Sequence, residues 1–130
     1  MKKYLILILV SLSIVSFGKP KPKKKAVVNP RIEIQTLLSN QQKAWNEFNL
    51  EGYMQGYWKS DSLTFVGKRG VTRGWKNTFD NYKKSYPDKS AMGKLELQVL
   101  SIKLFGADVA FVVGKWDLQR TAGDVGGHFT

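Results

Sequence analysis

The sequence contains no cysteine and one histidine, His128. Without cysteine the chain forms no disulfide, binds no metal through sulfur and has no thiol nucleophile. A single histidine cannot build a metal site without several carboxylates, and no spacing in the sequence matches a metal-binding motif. We therefore predict no metal and no cofactor.

Acidic residues are absent from the first 25 positions, which hold seven lysines. The formal net charge of +11 therefore overstates the charge of the folded part. Beyond position 25 the chain has 14 basic and 10 acidic residues, a net charge of +4. So mild an excess does not favour nucleic-acid binding, and we predict no nucleic-acid partner.

No apolar run has the length of a comfortable membrane span, which needs about 20 residues. The run Tyr4–Phe17 follows Lys2 and Lys3, a pattern typical of a signal peptide. We assign residues 1–18 to a signal peptide and predict a secreted or periplasmic protein. The alternative is an uncleaved N-terminal anchor, favoured by the positive charge after the run, which would be the chain's only membrane contact. Residues 19–29 are predicted to form an extended Lys/Pro linker.

Three helical patterns follow the linker. The first opens with Asn29 as N-cap and Pro30 at the first helical position, and its apolar residues recur at spacings of three and four. Asn49 is placed to cap a second, shorter helix. A third helix is predicted over residues 74–86, and Asp88–Ser90 then predicts a turn.

The strand patterns alternate with a period of two. Leu63–Val66 opens a hairpin with a basic tip, and a later strand changes the parity of its apolar face, which predicts a β-bulge at Val99–Ser101. The strand Val109–Leu118 is apolar on both faces for half its length, as is typical of a strand with neighbours on both sides. The preceding strand supplies one neighbour, so we expect at least one further strand after Thr130.

A series of short motifs carries a resemblance to a known family. In chain order they are Ala44–Asn46, Tyr57–Phe65, Gly70–Trp75, Met92–Leu95, Ala110–Leu118 and Gly127–Thr130. The series resembles the nuclear transport factor 2-like superfamily, which includes ketosteroid isomerases, SnoaL-like polyketide cyclases and small secreted domains of unknown function. The resemblance implies a cone-shaped α+β domain at 30–130, with N-terminal helices packed on a bent, mostly antiparallel sheet. Similar members continue with two more strands ending in an aspartate-histidine pair, so the domain is expected to be truncated.

The function implied by this resemblance stays open, because the superfamily hosts enzymes, binding proteins and oligomerisation modules on one scaffold. We expect a domain that binds a small apolar or amphipathic ligand in the cone pocket, or that serves as a dimeric interaction module. The alternative is an isomerase, cyclase or dehydratase with an aspartate base and a tyrosine donor.

Candidate ligand-binding residues are aromatic side chains at helical or strand spacing, together with the lone histidine. They are Tyr53, Tyr57, Trp58, Phe65, Trp75, Phe79, Trp116 and His128. Aromatic residues at these spacings also fit simple core packing. The catalytic candidates are Asp61, Asp117 and Tyr57, although the aspartates also fit an ordinary turn and a solvent-facing pair with Lys115.

Overall fold

The computed structural model describes residues 29–130, so the predicted signal peptide and nearly all of the predicted linker lie outside the described residues. The helices and strands of this part are α1 Pro30–Asn46, α2 Leu50–Met54, β1 Thr64–Gly67, β2 Gly70–Arg73, α3 Trp75–Ser85, α4 Lys89–Met92, β3 Lys94–Leu104, β4 Ala110–Gln119 and β5 Val125–Phe129. Strands β1 and β2 form a hairpin, and a second antiparallel sheet has the order β3-β4-β5. Within residues 29–130 no helix combines the length and apolarity needed to cross a bilayer.

The predicted helix starts are confirmed by their capping hydrogen bonds. The side chain of Asn29 accepts a hydrogen bond from the backbone N–H of Arg31 at 3.0 Å, and Pro30 occupies the first helical position. The side chain of Asn49 accepts one from the N–H of Gly52 at 2.8 Å. Both contacts satisfy donors that a helix N-terminus otherwise leaves without partners.

The end of α1 has the hydrogen bonds of a Schellman motif. The N–H of Phe48 donates to the carbonyl of Trp45 at 2.9 Å, and the N–H of Asn49 donates to that of Ala44 at 2.8 Å. In this motif a glycine usually takes the left-handed position. Here that position holds Phe48, with a φ of 59°, which is a strained conformation for a bulky side chain.

The three-stranded sheet confirms one strand prediction and corrects another. The register between β3 and β4 shifts between Val99 and Ser101, as expected for the predicted bulge. The expectation that β4 lacks a second neighbour within the chain is wrong, because β5 pairs with Gly114–Leu118. Two glycines in β5 interrupt the apolar alternation from which a strand is normally predicted.

The glycines of the sheet make room for aromatic rings on the neighbouring strand. Gly114 lies opposite Phe129, and a Cβ added to Gly114 would collide with the Phe129 ring. Gly127 lies opposite Trp116, and a Cβ there would lie 3.2 Å from the indole nitrogen. Each ring therefore occupies the space that a side chain would otherwise fill.

Helix α1 packs on the sheet and also pairs with its edge. Trp45 lies in the core with Met92, Leu95 and Leu118. The side chain of Asn46 bonds both the N–H of Leu95 at 2.7 Å and its carbonyl at 3.0 Å. These bonds satisfy backbone groups that an edge strand would otherwise expose.

The turn predicted at Asp88–Ser90 is the start of a short helix, which corrects the sequence interpretation. The carboxylate of Asp88 accepts a hydrogen bond from the N–H of Ala91 at 2.8 Å and caps α4. The helix ends at Met92, whose carbonyl accepts a hydrogen bond from the Trp45 indole at 3.0 Å. Four residues are too few for a helical period to be visible in the sequence.

Candidate functional site

Several of the predicted pocket residues meet in one aromatic cluster. Tyr53 on α2 lies four residues before Tyr57, so both side chains project from one side of the chain. Phe65 on β1 packs against Tyr57 with ring centroids 6.1 Å apart, and against Tyr82 on α3 at 5.7 Å. The structure therefore brings together Tyr53, Tyr57 and Phe65, as the sequence predicted, and adds Tyr82.

Three phenol hydroxyls of this cluster contact one another. The hydroxyl of Tyr53 lies 3.2 Å from that of Tyr57 and 3.4 Å from that of Tyr82. These distances exceed the usual hydroxyl hydrogen bond of about 2.7–2.8 Å, so the bonds are weak. Three hydroxyls carry three protons, and two mutual bonds use only two of them. One donor is left for water or a ligand atom.

The raised pKa values of Tyr53 and Tyr82 keep these two phenols protonated. Burial is the main cause that raises the pKa of Tyr53 well above its ordinary value of 10.0, and the charge of Tyr57 adds to it. Burial also raises the pKa of Tyr82 well above 10.0, with a further contribution from Tyr53. Tyr53 and Tyr82 therefore offer neutral hydrogen-bond donors and no phenolate nucleophile or base.

Two further aromatic side chains extend the cluster. The ring of Trp45 lies 5.0 Å from that of Tyr53, and the ring of Tyr86 lies 4.8 Å from that of Trp45. Tyr82 and Tyr86 were predicted as helix residues but not as site residues. Their spacing of four, with Tyr82 on α3 and Tyr86 at its C-cap, was the available signal, since residues four apart on a helix lie on one face.

The predicted ligand-binding residues Trp75, Phe79 and Trp58 lie outside the tyrosine cluster. Trp75 and Phe79 pack on each other at 5.2 Å, and the Trp75 indole donates to the Met54 carbonyl at 3.0 Å. Within residues 29–130 no ring contact joins this pair to the tyrosines. Trp58 is 66% exposed. The structure therefore does not gather these three side chains into one wall.

Trp116 and His128 lie on the three-stranded sheet. Trp116 packs against the core cluster from β4. His128 is exposed on β5 opposite Lys115, on the face away from the core residue Leu118. Sheet alternation thus places Trp116 and His128 on opposite faces, so one pocket wall cannot include both.

The predicted catalytic carboxylates do not reach the tyrosine hydroxyls. Asp61 is exposed in the turn before β1. Asp117 is paired with Lys115 at 2.8 Å on the sheet surface. Among residues 29–130 neither carboxylate bonds a tyrosine, and no three carboxylate or imidazole groups converge as metal ligands would. A catalytic role for Asp61, Asp117 or Tyr57 stays a prediction.

An open cleft of about 530 Å³ borders the aromatic cluster at Tyr86. Its lining is mainly apolar with charged residues at the rim, and consists of Phe48, Leu50, Lys83, Tyr86, Pro87, Asp88, Lys89 and Met92. Sequence reasoning named none of these residues as ligand contacts. They come from two stretches of the chain, residues 48–50 and 83–92, so no local pattern connects them.

The strained Phe48 forms part of this cleft. Its ring lies beneath the ammonium group of Lys89, at 4.7 Å from the ring centroid. Strained backbone persists where the surrounding structure imposes it, and it concentrates at functional sites. The cleft thus combines ligand-sized volume, apolar walls, a cationic rim and a residue held in an unfavourable conformation.

The comparison with solved structures decides the family. A nuclear transport factor 2-like protein of unknown function from Shewanella oneidensis MR-1 is 39% identical, with a TM-score of 0.74. The alignment covers 77% of this chain and 83% of that one. The chain belongs to the nuclear transport factor 2-like superfamily. The fold predicted for this nuclear transport factor 2-like domain, helices packed on an antiparallel sheet, is thereby confirmed.

A second solved structure supports the fold of this nuclear transport factor 2-like domain and nothing more. It is a domain of unknown function with a cystatin-like fold from Nostoc punctiforme PCC 73102, 15% identical, with a TM-score of 0.61. The alignment covers 75% of this chain and 59% of that one. No protein-family model and no curated protein matches the chain. Its function must therefore be argued from its own geometry.

Proposed function

We propose that this domain binds a small amphipathic molecule in the cleft beside Phe48 and Tyr86. The volume of about 530 Å³ is the observation that carries the proposal. It lies within the range of small-molecule sites, roughly 300–1,000 Å³, and its lining has the expected mixture of apolar walls and few polar groups. The two rim lysines, Lys83 and Lys89, and the carboxylate of Asp88 supply the polar contacts.

Binding is better supported than catalysis. The rim carboxylate of Asp88 caps α4 by accepting a hydrogen bond from the N–H of Ala91, and within residues 29–130 it bonds no tyrosine hydroxyl. The hydroxyls of Tyr53 and Tyr82 are neutral donors, and within residues 29–130 they bond no carboxylate. A proton transfer needs both partners within hydrogen-bond reach, and the geometry offers one of them.

The test uses 2-naphthol as the probe and isothermal titration calorimetry as the readout. Phe48→Asn removes the aromatic wall, and asparagine tolerates the left-handed conformation better than phenylalanine does. We expect affinity to fall about tenfold, since burial of such a ring contributes about 1.5 kcal/mol or more.

Phe105→Asn is the matched control. Phe105 is also an exposed phenylalanine, and its ring also lies beneath a lysine, Lys103, at 5.0 Å. It lies outside the cleft, so this variant should bind 2-naphthol as the wild type does. Equal affinity of the two variants, or no binding by the wild type, would contradict the proposal.

We also propose that the outer face of the sheet mediates dimerisation. Phe111 is about half exposed and alternates with the core-facing residues of β4, and Leu100, equally exposed, lies at the bulge of the neighbouring strand β3. Large apolar side chains on a sheet face favour a partner surface. Phe111→Glu should convert a dimer to a monomer in sedimentation equilibrium, whereas a monomeric wild type would refute this.

Export is the remaining proposal, and it depends on the sequence of residues 1–18. The lysine-led apolar run supports a signal peptide and a secreted or periplasmic domain. The intact mass of the protein recovered from the native host distinguishes cleavage near residue 18 from an uncleaved N-terminal anchor.

A further inference from the structure

The stretch Trp58–Arg73 contains the three most exposed large apolar side chains of residues 29–130. They are Val66 at 72%, Trp58 at 66% and Val71 at 61% exposed. Isolated exposed apolar residues are ordinary, but several in one short segment favour a contact surface. Neither the cleft nor the sheet face accounts for them.

The β1–β2 hairpin holds two of these residues together. Val66 and Val71 lie directly opposite each other in the strand register, so both project from the same face. The neighbouring Phe65 projects from the other face and packs against Tyr57 and Tyr82. The hairpin is thus fixed to the domain by one face and exposes an apolar pair on the other.

The tip of the hairpin is cationic. Lys68 and Arg69 form the two-residue loop, and Gly70 follows with a φ of 99°, a conformation that glycine adopts without strain. The guanidinium of Arg69 donates to the hydroxyl of Ser85 at 3.0 Å, which ties the tip to α3. Both cations are exposed, and in the chain they stand between Val66 and Val71, at the end of the hairpin that carries the valine pair.

The net positive charge of the domain is confined to this region. Residues 59–89 contain eight basic and three acidic side chains. The rest of the described chain, residues 29–58 and 90–130, contains six basic and seven acidic ones. The hairpin and α3 thus carry a net charge of +5, and the remainder carries −1.

We propose that the β1–β2 hairpin docks on an anionic phospholipid surface. Lys68 and Arg69 would meet the headgroups, where each cation strengthens binding by roughly fivefold. Val66 and Val71 would enter the interface between headgroups and acyl chains, where apolar side chains are favoured. A nucleic acid would meet the cations but would give the valine pair no apolar environment, so a lipid surface fits the whole feature better.

A second hairpin tip in the same domain offers an internal comparison. Phe105 and Val109, between β3 and β4, are also more than half exposed. Their neighbouring charges, Lys103 and Asp108, cancel. If apolar exposure alone drove docking, both tips would enter a membrane, whereas the proposal assigns this role to β1–β2 alone.

The test exploits the absence of cysteine, which allows one label per protein. Val66→Cys and Val109→Cys are each labelled with a polarity-sensitive fluorophore in the full-length chain. Each is mixed with phosphatidylglycerol–phosphatidylcholine vesicles, with phosphatidylcholine vesicles and with duplex DNA. Because the label reports its own surroundings, membrane attachment through the N-terminal segment does not mimic the signal.

We expect the emission of the label at position 66 to shift to shorter wavelength with anionic vesicles only, and the label at position 109 to stay unchanged. Adding Lys68→Gln and Arg69→Gln to the Val66→Cys variant should raise the concentration of anionic vesicles needed for a half-maximal shift by roughly 25-fold. The proposal is overturned by equal shifts at both positions, by no shift at position 66 or by equal shifts with neutral vesicles. A response to duplex DNA instead of vesicles would make this a nucleic-acid surface.

Discussion

Asn46 is expected to be one of the most sensitive polar positions of the domain. Its side-chain amide bonds both backbone groups of Leu95, through contacts of 2.7 and 3.0 Å from α1 to β3. Replacement by alanine removes both bonds and leaves the N–H and the carbonyl of Leu95 without these partners. Leu95 itself is buried in the core, so water reaches the vacated site poorly.

The expected cost of Asn46→Ala follows from these two bonds. Each intramolecular hydrogen bond contributes about 0.5–1.5 kcal/mol net, and an unsatisfied buried group costs about 1–3 kcal/mol. Partial access of water to the strand edge reduces the second figure, so we expect a loss of about 2–3 kcal/mol. For a domain near 100 residues, 1 kcal/mol shifts Tm by about 4–8 °C, which predicts a fall of about 10–20 °C.

Urea denaturation of the full-length chain, followed by tryptophan fluorescence, measures the change. Asn77→Ala is the matched control, because the Asn77 amide donates one bond to a backbone carbonyl, at 2.9 Å, from an exposed helix position. Gln42→Ala removes a single bond to the N–H of Leu97, and its loss of stability should lie between those of Asn77→Ala and Asn46→Ala. If Asn46→Ala costs no more than Asn77→Ala, the helix does not stabilise the sheet edge and the reasoning is wrong.

Three further outcomes follow from the structure. The raised pKa of Tyr82 keeps its phenol protonated in the folded state, so its stabilising contribution is present below pH 10 and is lost as pH rises further. Above pH 10, Tyr82→Phe should therefore make the fall of the unfolding free energy with pH less steep, by about 1.4 kcal/mol per pH unit. Gly114→Ala should cost about 1–3 kcal/mol in urea denaturation through collision with Phe129, and part of this should return in the Phe129→Ala background. Hydrogen bonds from Lys76, and then Lys83, lower the pKa of Asp80 to about 2, so its stabilising contribution is present above pH 3.8 and lost as pH falls through about 2. Carboxyl NMR titration should place this midpoint near 2 and show it higher in Lys76→Gln.

Local physics made much of the fold predictable. The N-caps at Asn29 and Asn49 need only a side-chain acceptor before an amphipathic run. The bulge at Val99–Ser101 follows because an apolar face cannot change parity in a regular strand. Each of these signals lies within a few residues, and each was confirmed.

The parts that could not be predicted depend on contacts between distant residues. Strand β5 contains two glycines, and the role of Gly127 becomes visible only when the Trp116 ring lies opposite it in the sheet. The cleft brings Phe48 to Tyr86 from a different helix. A phenylalanine at a helix C-terminus gives no sign in the sequence that it adopts the left-handed conformation usually held by glycine.

The packing of the aromatic cluster determines which part of this domain can receive a ligand. The rings of Tyr53, Tyr57, Phe65 and Tyr82 lie 5.4–6.1 Å apart in edge-to-face or tilted contacts. At such distances each pair contributes about 0.5–1.5 kcal/mol beyond burial, and little room remains between the rings. A ligand that entered among them would have to displace these contacts. A ligand in the adjoining cleft would instead add to the exposed side of Tyr86, which is why the cleft, rather than the predicted tyrosine wall, is the favoured site.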